Sequence, residues 1–194
     1  MTTQTDIERA RFNMVEQQIR PWDVLDQQVL DLLFELRRED FVLPQYRSLA
    51  FFDMEIPLSA NAGEDERMLA PKLEARMLQA LSVKPSDRVL EIGTGSGYMT
   101  ALLARRAAHV TSVEINPEFS AQAAQRLAAH DIRNITLETG DGARGWARNA
   151  PYDAIVLTGS TPVLDPAFQS SLNAGGHLLD RKSTRLNSSH VKRS

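Results

Sequence analysis

The chain contains no cysteine. Disulfides, thiolate nucleophiles and cysteine zinc sites are therefore excluded. Histidine is scarce: His109, His130, His177 and His190 are scattered along the sequence, so no metal site is expected. No apolar run reaches the roughly 18 residues needed to span a bilayer, and no membrane partner is expected. The opening Met1-Thr-Thr-Gln-Thr-Asp6 lacks the basic and apolar regions of a signal peptide. The expected setting is cytoplasmic. The net charge of −3 over 194 residues gives no support to general nucleic-acid binding. Nothing in the sequence signals an oligomeric state.

What is present is ordinary for a globule, with 42% hydrophobic and 24% charged residues. A chain of this length buries roughly 70% of its unfolded surface on folding. Charge is uneven. Residues 181–194, RKSTRLNSSHVKRS, hold five basic residues, no acidic ones and four serines. Such a segment has too little apolar content to fold alone. It is read as a disordered basic tail, and it resembles a translated stretch foreign to the rest of the chain.

Residues 6–20 predict a helix with Asp6 as its N-cap, ended by Pro21. Asp26 caps a second helix carrying Val29, Leu30, Leu33 and Leu36. Residues 40–66 are irregular, broken by Pro44, Pro57 and Gly63. A third helix opens at Pro71, with Leu73, Met77, Leu78 and Leu81 as its apolar face. Pro85 closes it. From residue 87 short apolar runs alternate with helices. Strands are expected at 88–92, 109–115, 135–139, 152–158 and 177–179, the last after a turn at Gly175-Gly176. Helices are expected at 98–106, 117–130 and 166–172, with at most a short one at 143–148. This rhythm predicts an α/β fold with a doubly wound, mainly parallel sheet. The chain divides into an N-terminal helical and loop region (1–86), an α/β core (87–180) and the tail (181–194).

The sharpest motif is Glu91-Ile-Gly93-Thr-Gly95-Ser-Gly97, where the first core strand turns into its helix. Ligands of such sheets bind at the carboxyl ends of strands. Glycines there let a ligand approach the backbone. Glu91 precedes the first glycine by two residues, and its carboxylate is expected to point at whatever the loop holds. It would repel a pyrophosphate and attract ammonium and sulfonium charges. That favours S-adenosyl-L-methionine over a nicotinamide dinucleotide. Glu114 ends the next strand, where a carboxylate can accept from both hydroxyls of a ribose. Gly140-Asp141-Gly142 follows the third strand. Asp141 can accept from an adenine amino group, or simply shape an Asp-Gly turn.

These segments, with Val113-Glu114, Tyr152-Asp-Ala-Ile-Val156 and Gly175-Gly176, resemble the protein-L-isoaspartate O-methyltransferases. The resemblance runs from about Met14 to Leu179. It implies a class I, Rossmann-like methyltransferase fold with S-adenosyl-L-methionine as donor. It implies Glu91, Gly93, Gly95, Gly97, Glu114, Asp141 and Gly142 as cofactor residues, with Thr158 bordering the transferring methyl. The implied partner is a protein or peptide carrying isoaspartyl residues.

Two departures stand out. The family's Thr-Ile-Ser-x-Pro segment corresponds to Arg67-Met-Leu-Ala-Pro71, which places Leu69 at the serine position. Ser59 lies upstream and does not align with it. The family's terminal antiparallel strands are expected to be missing, leaving the fifth strand as an apolar edge. Three readings stay open: isoaspartyl methylation, methylation of another small-molecule or protein acceptor, and a non-catalytic cofactor-binding module. No catalytic base is identified, and carboxylate methylation needs none. Trp22 and Trp146 read as packing residues. Tyr98 reads as packing beneath the glycine loop, Arg37-Arg38 as a solvated helix end, and Arg76 as half of a surface ion pair.

Overall fold

The computed structural model describes residues 3–160, 163–181 and 191–192. Helix α1 (Gln4–Asn13) starts earlier than expected, because Thr3 is its cap. The Thr3 hydroxyl accepts from the Asp6 amide at 3.2 Å, and the Asp6 carboxylate accepts from the Thr3 amide at 3.1 Å. Asp6 is thus the inner member of a capping box. From Met14 to Ile19 the backbone widens into a π-helix that buries Met14, Val15 and Ile19. The step from Met14 to Ile19 matches an i→i+5 ladder, where the sequence predicts one continuous helix. Pro21 lies inside a closing 3₁₀ turn, and the chain leaves the helix at Asp23, whose φ is 59°.

Helix α2 (Gln27–Glu35) is capped by Asp26, whose carboxylate accepts from the Gln28 amide at 2.9 Å. The segment expected to be irregular holds two 3₁₀ stretches, Arg38–Asp40 and Pro44–Phe51. Strands β1 (Ile56–Pro57) and β2 (Arg67–Met68) then form a small antiparallel hairpin. Helix α3 (Pro71–Leu81) opens at Pro71 and stops at Ser82, which takes a left-handed conformation. Its buried face differs from the one expected. Glu74 joins Met77, Leu78 and Leu81, while Leu73 is half-buried.

The core follows as β3 (Arg88–Ile92), α4 (Tyr98–Ala104), β4 (His109–Glu114), α5 (Pro117–Ala129) and β5 (Ile135–Thr139). It continues as β6 (Tyr152–Leu157), α6 (Pro166–Ser170) and β7 (Leu172–Asp180). Residues 143–148 form no helix. The sheet order is β5-β4-β3-β6-β7, all parallel. The chain therefore winds outward from β3 on one side and returns to β6 on the other, and the switch in strand order lies between β3 and β6. Strand β7 starts at Leu172, earlier than expected. Its register jumps from Tyr152↔Leu172 to Ala154↔His177, so residues 173–176 bulge out around Gly175-Gly176. The expected turn exists, but inside the strand. A short β8 (Val191–Lys192) pairs antiparallel with β7, so that edge carries a partner where none was expected. The rest of the predicted tail beyond Arg181 lies outside the described residues.

Side-chain alternation in the strands builds two cores. Val89, Val110, Ala154, Val156 and Leu179 face one layer, which is continuous with Met14, Leu33, Phe41 and Met77 of the N-terminal region. Leu90, Ile92, Val113, Ile155 and Leu157 face the other, covered by Phe168 and Leu172. Each of the Val, Leu, Ile, Phe and Met side chains among them contributes about 1.5–3 kcal/mol by burial. Among the described residues no helix is long and apolar enough to cross a membrane, and no cluster of metal-ligating side chains forms.

Candidate functional site

A cavity of about 530 Å³ opens at the carboxyl ends of β3, β4, β5 and β6. That volume suits a small organic ligand. Its floor is the turn after β3. Gly93 has a φ of 100°, and a Cβ there would lie 2.5 Å from the Gly159 amide nitrogen. Only glycine lets the ends of β3 and β6 approach this closely. Gly95 lines the cavity, with a φ of 51°. Gly97 does not line it. It packs against α5, where a Cβ would come within 3.1 Å of Ala123 Cβ.

Glu114 sits at the cavity edge of β4 and is 6% exposed. Its Oε2 accepts from the Gly95 amide at 2.8 Å and its Oε1 from the Asn116 amide at 3.0 Å. A carboxylate offers about four lone-pair positions, so acceptor capacity is left on both oxygens. Asp141 also lines the cavity, and its Oδ1 accepts from the Ala143 amide at 2.9 Å. It shapes the Asp-Gly turn and leaves Oδ2 for another donor. Gly142 lets this turn pack directly on the core: a Cβ would meet Ile92 Cδ1 at 2.8 Å. Thr158 borders the same space, but its hydroxyl lies between the carbonyl oxygens of Ile92 at 2.9 Å and Gly93 at 2.5 Å. It locks the end of β6 onto the glycine turn.

Glu91 is placed differently from the expectation. It is fully buried and does not line the cavity. Strand parity is the reason: Glu91 shares a face with Val89, and that face packs under α4. Its Oε2 accepts from Thr100 at 2.5 Å and Ser112 at 2.7 Å, and Thr94 lies 2.6 Å from the Ser112 hydroxyl. Burial pushes its carboxyl up to about 8, against the pull of those two hydroxyls. A group that stays protonated at neutral pH does not attract a sulfonium. Its role is to brace the turn from below.

The opposite wall comes from the N-terminal region: Leu58 of the hairpin, Arg67, Met68, Leu69 and Glu74. Leu58 Cδ1 would lie 3.4 Å from a Cβ on Gly95, so the hairpin rests on the glycine turn. Behind this wall Arg38 is fully buried, contrary to the solvated helix end expected. Its Nε donates to Glu74 Oε2 at 3.1 Å, Nη1 to the Ala50 carbonyl at 2.8 Å and Nη2 to the Leu69 carbonyl at 2.5 Å. A buried guanidinium is tolerated because it is paired and its donors are used. Burial raises the Glu74 carboxyl to about 7, opposed by Arg38. A second buried pair joins Arg11 and Glu39. Glu74 was detectable in principle: it falls at helical spacing with Met77, Leu78 and Leu81, an acid on an apolar face. Arg38 carried no such signal.

Tyr98 is a buried packing residue, its ring centroid 5.2 Å from that of Phe41 and 5.6 Å from the Arg38 guanidinium carbon. Trp146 packs against Gly140, where a Cβ would lie 2.8 Å from its ring. Trp22 is 48% exposed and carries Lys72 Nζ 3.9 Å from its ring centroid. Arg76 makes no surface ion pair among the described residues. Its guanidinium donates to the Trp22 carbonyl at 3.4 Å.

The strand order, the glycine turn at the switch point and the acid at the end of β4 together define a class I, Rossmann-like methyltransferase fold. Comparison with known proteins narrows this. The family model for protein-L-isoaspartate(D-aspartate) O-methyltransferase matches residues 9–181, and the chain belongs to that family. A solved protein-L-isoaspartate O-methyltransferase superposes with a TM-score of 0.73 at 26% identity, covering 89% of this chain and 54% of that one. This chain thus spans about half the length of that relative. A Plasmodium falciparum structure, described as a beta-aspartate methyltransferase in complex with S-adenosyl-L-homocysteine, gives 0.68 at 17% identity, covering 88% and 81%. That likeness is one of fold. An S-adenosylmethionine-dependent O-methyltransferase from Thermotoga maritima gives 0.52 at 26% identity, covering 61% and 49%.

Proposed function

We propose that this chain is an S-adenosyl-L-methionine-dependent O-methyltransferase that esterifies the free carboxylate of L-isoaspartyl residues in proteins or peptides. The observation that carries the reading is the family match over residues 9–181. It coincides with a cavity whose parts suit the donor. Glu114 keeps acceptor capacity for ribose hydroxyls and Asp141 Oδ2 for an adenine amino group, while Gly142 lets their turn pack closely on Ile92 at the cavity edge. The core strand ends supply the donor side. The N-terminal region, residues 1–86, supplies the acceptor wall.

When bound, S-adenosyl-L-methionine supplies an electrophilic methyl on a sulfonium. The chain's task is then alignment, which is worth roughly 7–11 kcal/mol in favourable cases. Glu114 and the glycine turn hold the donor end. Leu58, Met68 and Leu69 exclude water from the acceptor end. A carboxyl with an ordinary pKa of about 4 is already ionised at neutral pH, so no residue need remove a proton. This fits a cavity lined, among the described residues, by no histidine or lysine.

The apolar stretch Met68-Leu69 favours a second reading, transfer to a different acceptor. One test separates the two. The full chain is incubated with the donor and an isoaspartyl peptide, and the product is examined by mass spectrometry. A methyl ester that mild base removes supports the proposal. Donor binding without an ester moves the assignment to another acceptor.

A further inference from the structure

The acceptor wall carries one cation among the described residues that line the cavity, Arg67. The other ionisable lining groups are acids: Asp65, Glu66, Glu74, Glu114 and Asp141. Four of these acids already accept from the protein. Glu66 takes the Gly63 amide at 3.0 Å, Glu74 takes Arg38, Glu114 takes two amides and Asp141 takes one. Arg67 is the opposite case. It is half-buried, and its guanidinium makes no hydrogen bond or ion pair with any described residue.

Its backbone is well fixed. Arg67 pairs with Pro57 across the hairpin, and the Leu58 amide donates to the Glu66 carbonyl at 3.0 Å. The hairpin is seated on Gly95 through Leu58. Two residues on, the Leu69 carbonyl is held by Arg38. Arg38 itself is fully buried, has each of its three nitrogens bonded to a protein acceptor and does not line the cavity. An anionic acceptor entering a cavity rich in carboxylates therefore meets a single unclaimed cation. A guanidinium N–H makes a charge-assisted hydrogen bond to a carboxylate oxygen.

We infer that Arg67 is the acceptor-side anchor, binding one oxygen of the carboxylate to be methylated and leaving the other turned into the cavity. The inference rests on the methyl-transfer reading above and adds its specificity determinant. It also implies that the neutral ester product loses this charge pairing and dissociates more readily.

The test is equilibrium binding in the presence of S-adenosyl-L-homocysteine, with turnover measured in parallel. The ligands are an isoaspartyl peptide and its isoasparaginyl amide counterpart. The wild-type chain is expected to prefer the carboxylate about 10- to 100-fold, the range of a charge-assisted hydrogen bond. Arg67→Gln should abolish that preference and Arg67→Lys should keep part of it. Both should hold S-adenosyl-L-homocysteine affinity and melting temperature near wild type. A wild-type chain that binds acid and amide alike overturns the anchor, and that comparison needs no variant. Wild-type turnover with an unchanged preference in Arg67→Gln also overturns the anchor and leaves the methyl-transfer reading standing. A preference lost in Arg67→Gln, with no turnover in wild type, upholds Arg67 as a carboxylate-binding residue and overturns the methyl-transfer reading.

Discussion

Replacing Glu91 by glutamine tests the placement of this acid beneath the glycine turn. Burial raises its carboxyl from an ordinary 4.5 to about 8 in the fold. The unfolded chain then releases the proton near pH 4.5, while the folded chain holds it until about pH 8. Between those limits the unfolded state binds fewer protons, so stability falls as pH rises. Each pKa unit corresponds to about 1.4 kcal/mol, which gives a loss of about 2–3 kcal/mol between pH 5 and pH 7. Glutamine cannot ionise and escapes this loss. Its other effects on packing and hydrogen bonding are the same at every pH and drop out of the comparison between pH 5 and pH 7. Glu74, raised to about 7, titrates in both proteins, so only its coupling to the Glu91 charge enters the difference. The assay is urea unfolding of wild type and Glu91→Gln at pH 5, 6, 7 and 8. The gap should shift in favour of the variant by about 2–3 kcal/mol from pH 5 to pH 7. Parallel pH profiles would refute the reasoning. S-adenosyl-L-homocysteine affinity should change little, because Glu91 faces α4 and not the cavity.

Glu114→Ala should lower S-adenosyl-L-homocysteine affinity at least about tenfold by calorimetry, since it removes an acceptor for ribose hydroxyls. Glu74→Ala should cost about 3–5 kcal/mol in chemical unfolding, because it strands the buried Arg38 charge. Replacing Arg38 and Glu74 together by methionine should cost less than Glu74→Ala. Gly93→Ala should destabilise by more than about 2 kcal/mol, since its Cβ meets backbone at a φ of 100°. Gly175→Ala, with nothing within 4 Å, should lose only the smaller cost of its backbone conformation.

Much of the core was legible from local pattern. The alternation of apolar runs and helices marked β3 to β6 within a residue or two, because buried parallel strands are short and apolar. The glycines, Glu114 and Gly142 fall at strand ends, where this fold places ligands. The direction of Glu91 was also readable: it shares parity with Val89, and parity decides which face a strand side chain takes. Elsewhere the controlling physics is tertiary. The π-helical stretch at 14–19 buries Met14, Val15 and Ile19 together, and nothing in their spacing marks it, since Val15 and Ile19 also fit an α-helical face. Arg38 looks solvated in sequence because its acceptors, Glu74 and the carbonyls of Ala50 and Leu69, come from three separate segments. Gly97 carries a ligand motif yet serves helix packing, a distinction that depends on where α5 lies.

The most direct test of the central claim is selectivity in methyl transfer. Labelled S-adenosyl-L-methionine is offered with an isoaspartyl peptide and, separately, with its aspartyl twin, in mildly acidic buffer that preserves esters. The account predicts label in the isoaspartyl peptide and background in the twin. Equal labelling of both, or none in either from folded protein that binds S-adenosyl-L-homocysteine, would contradict it.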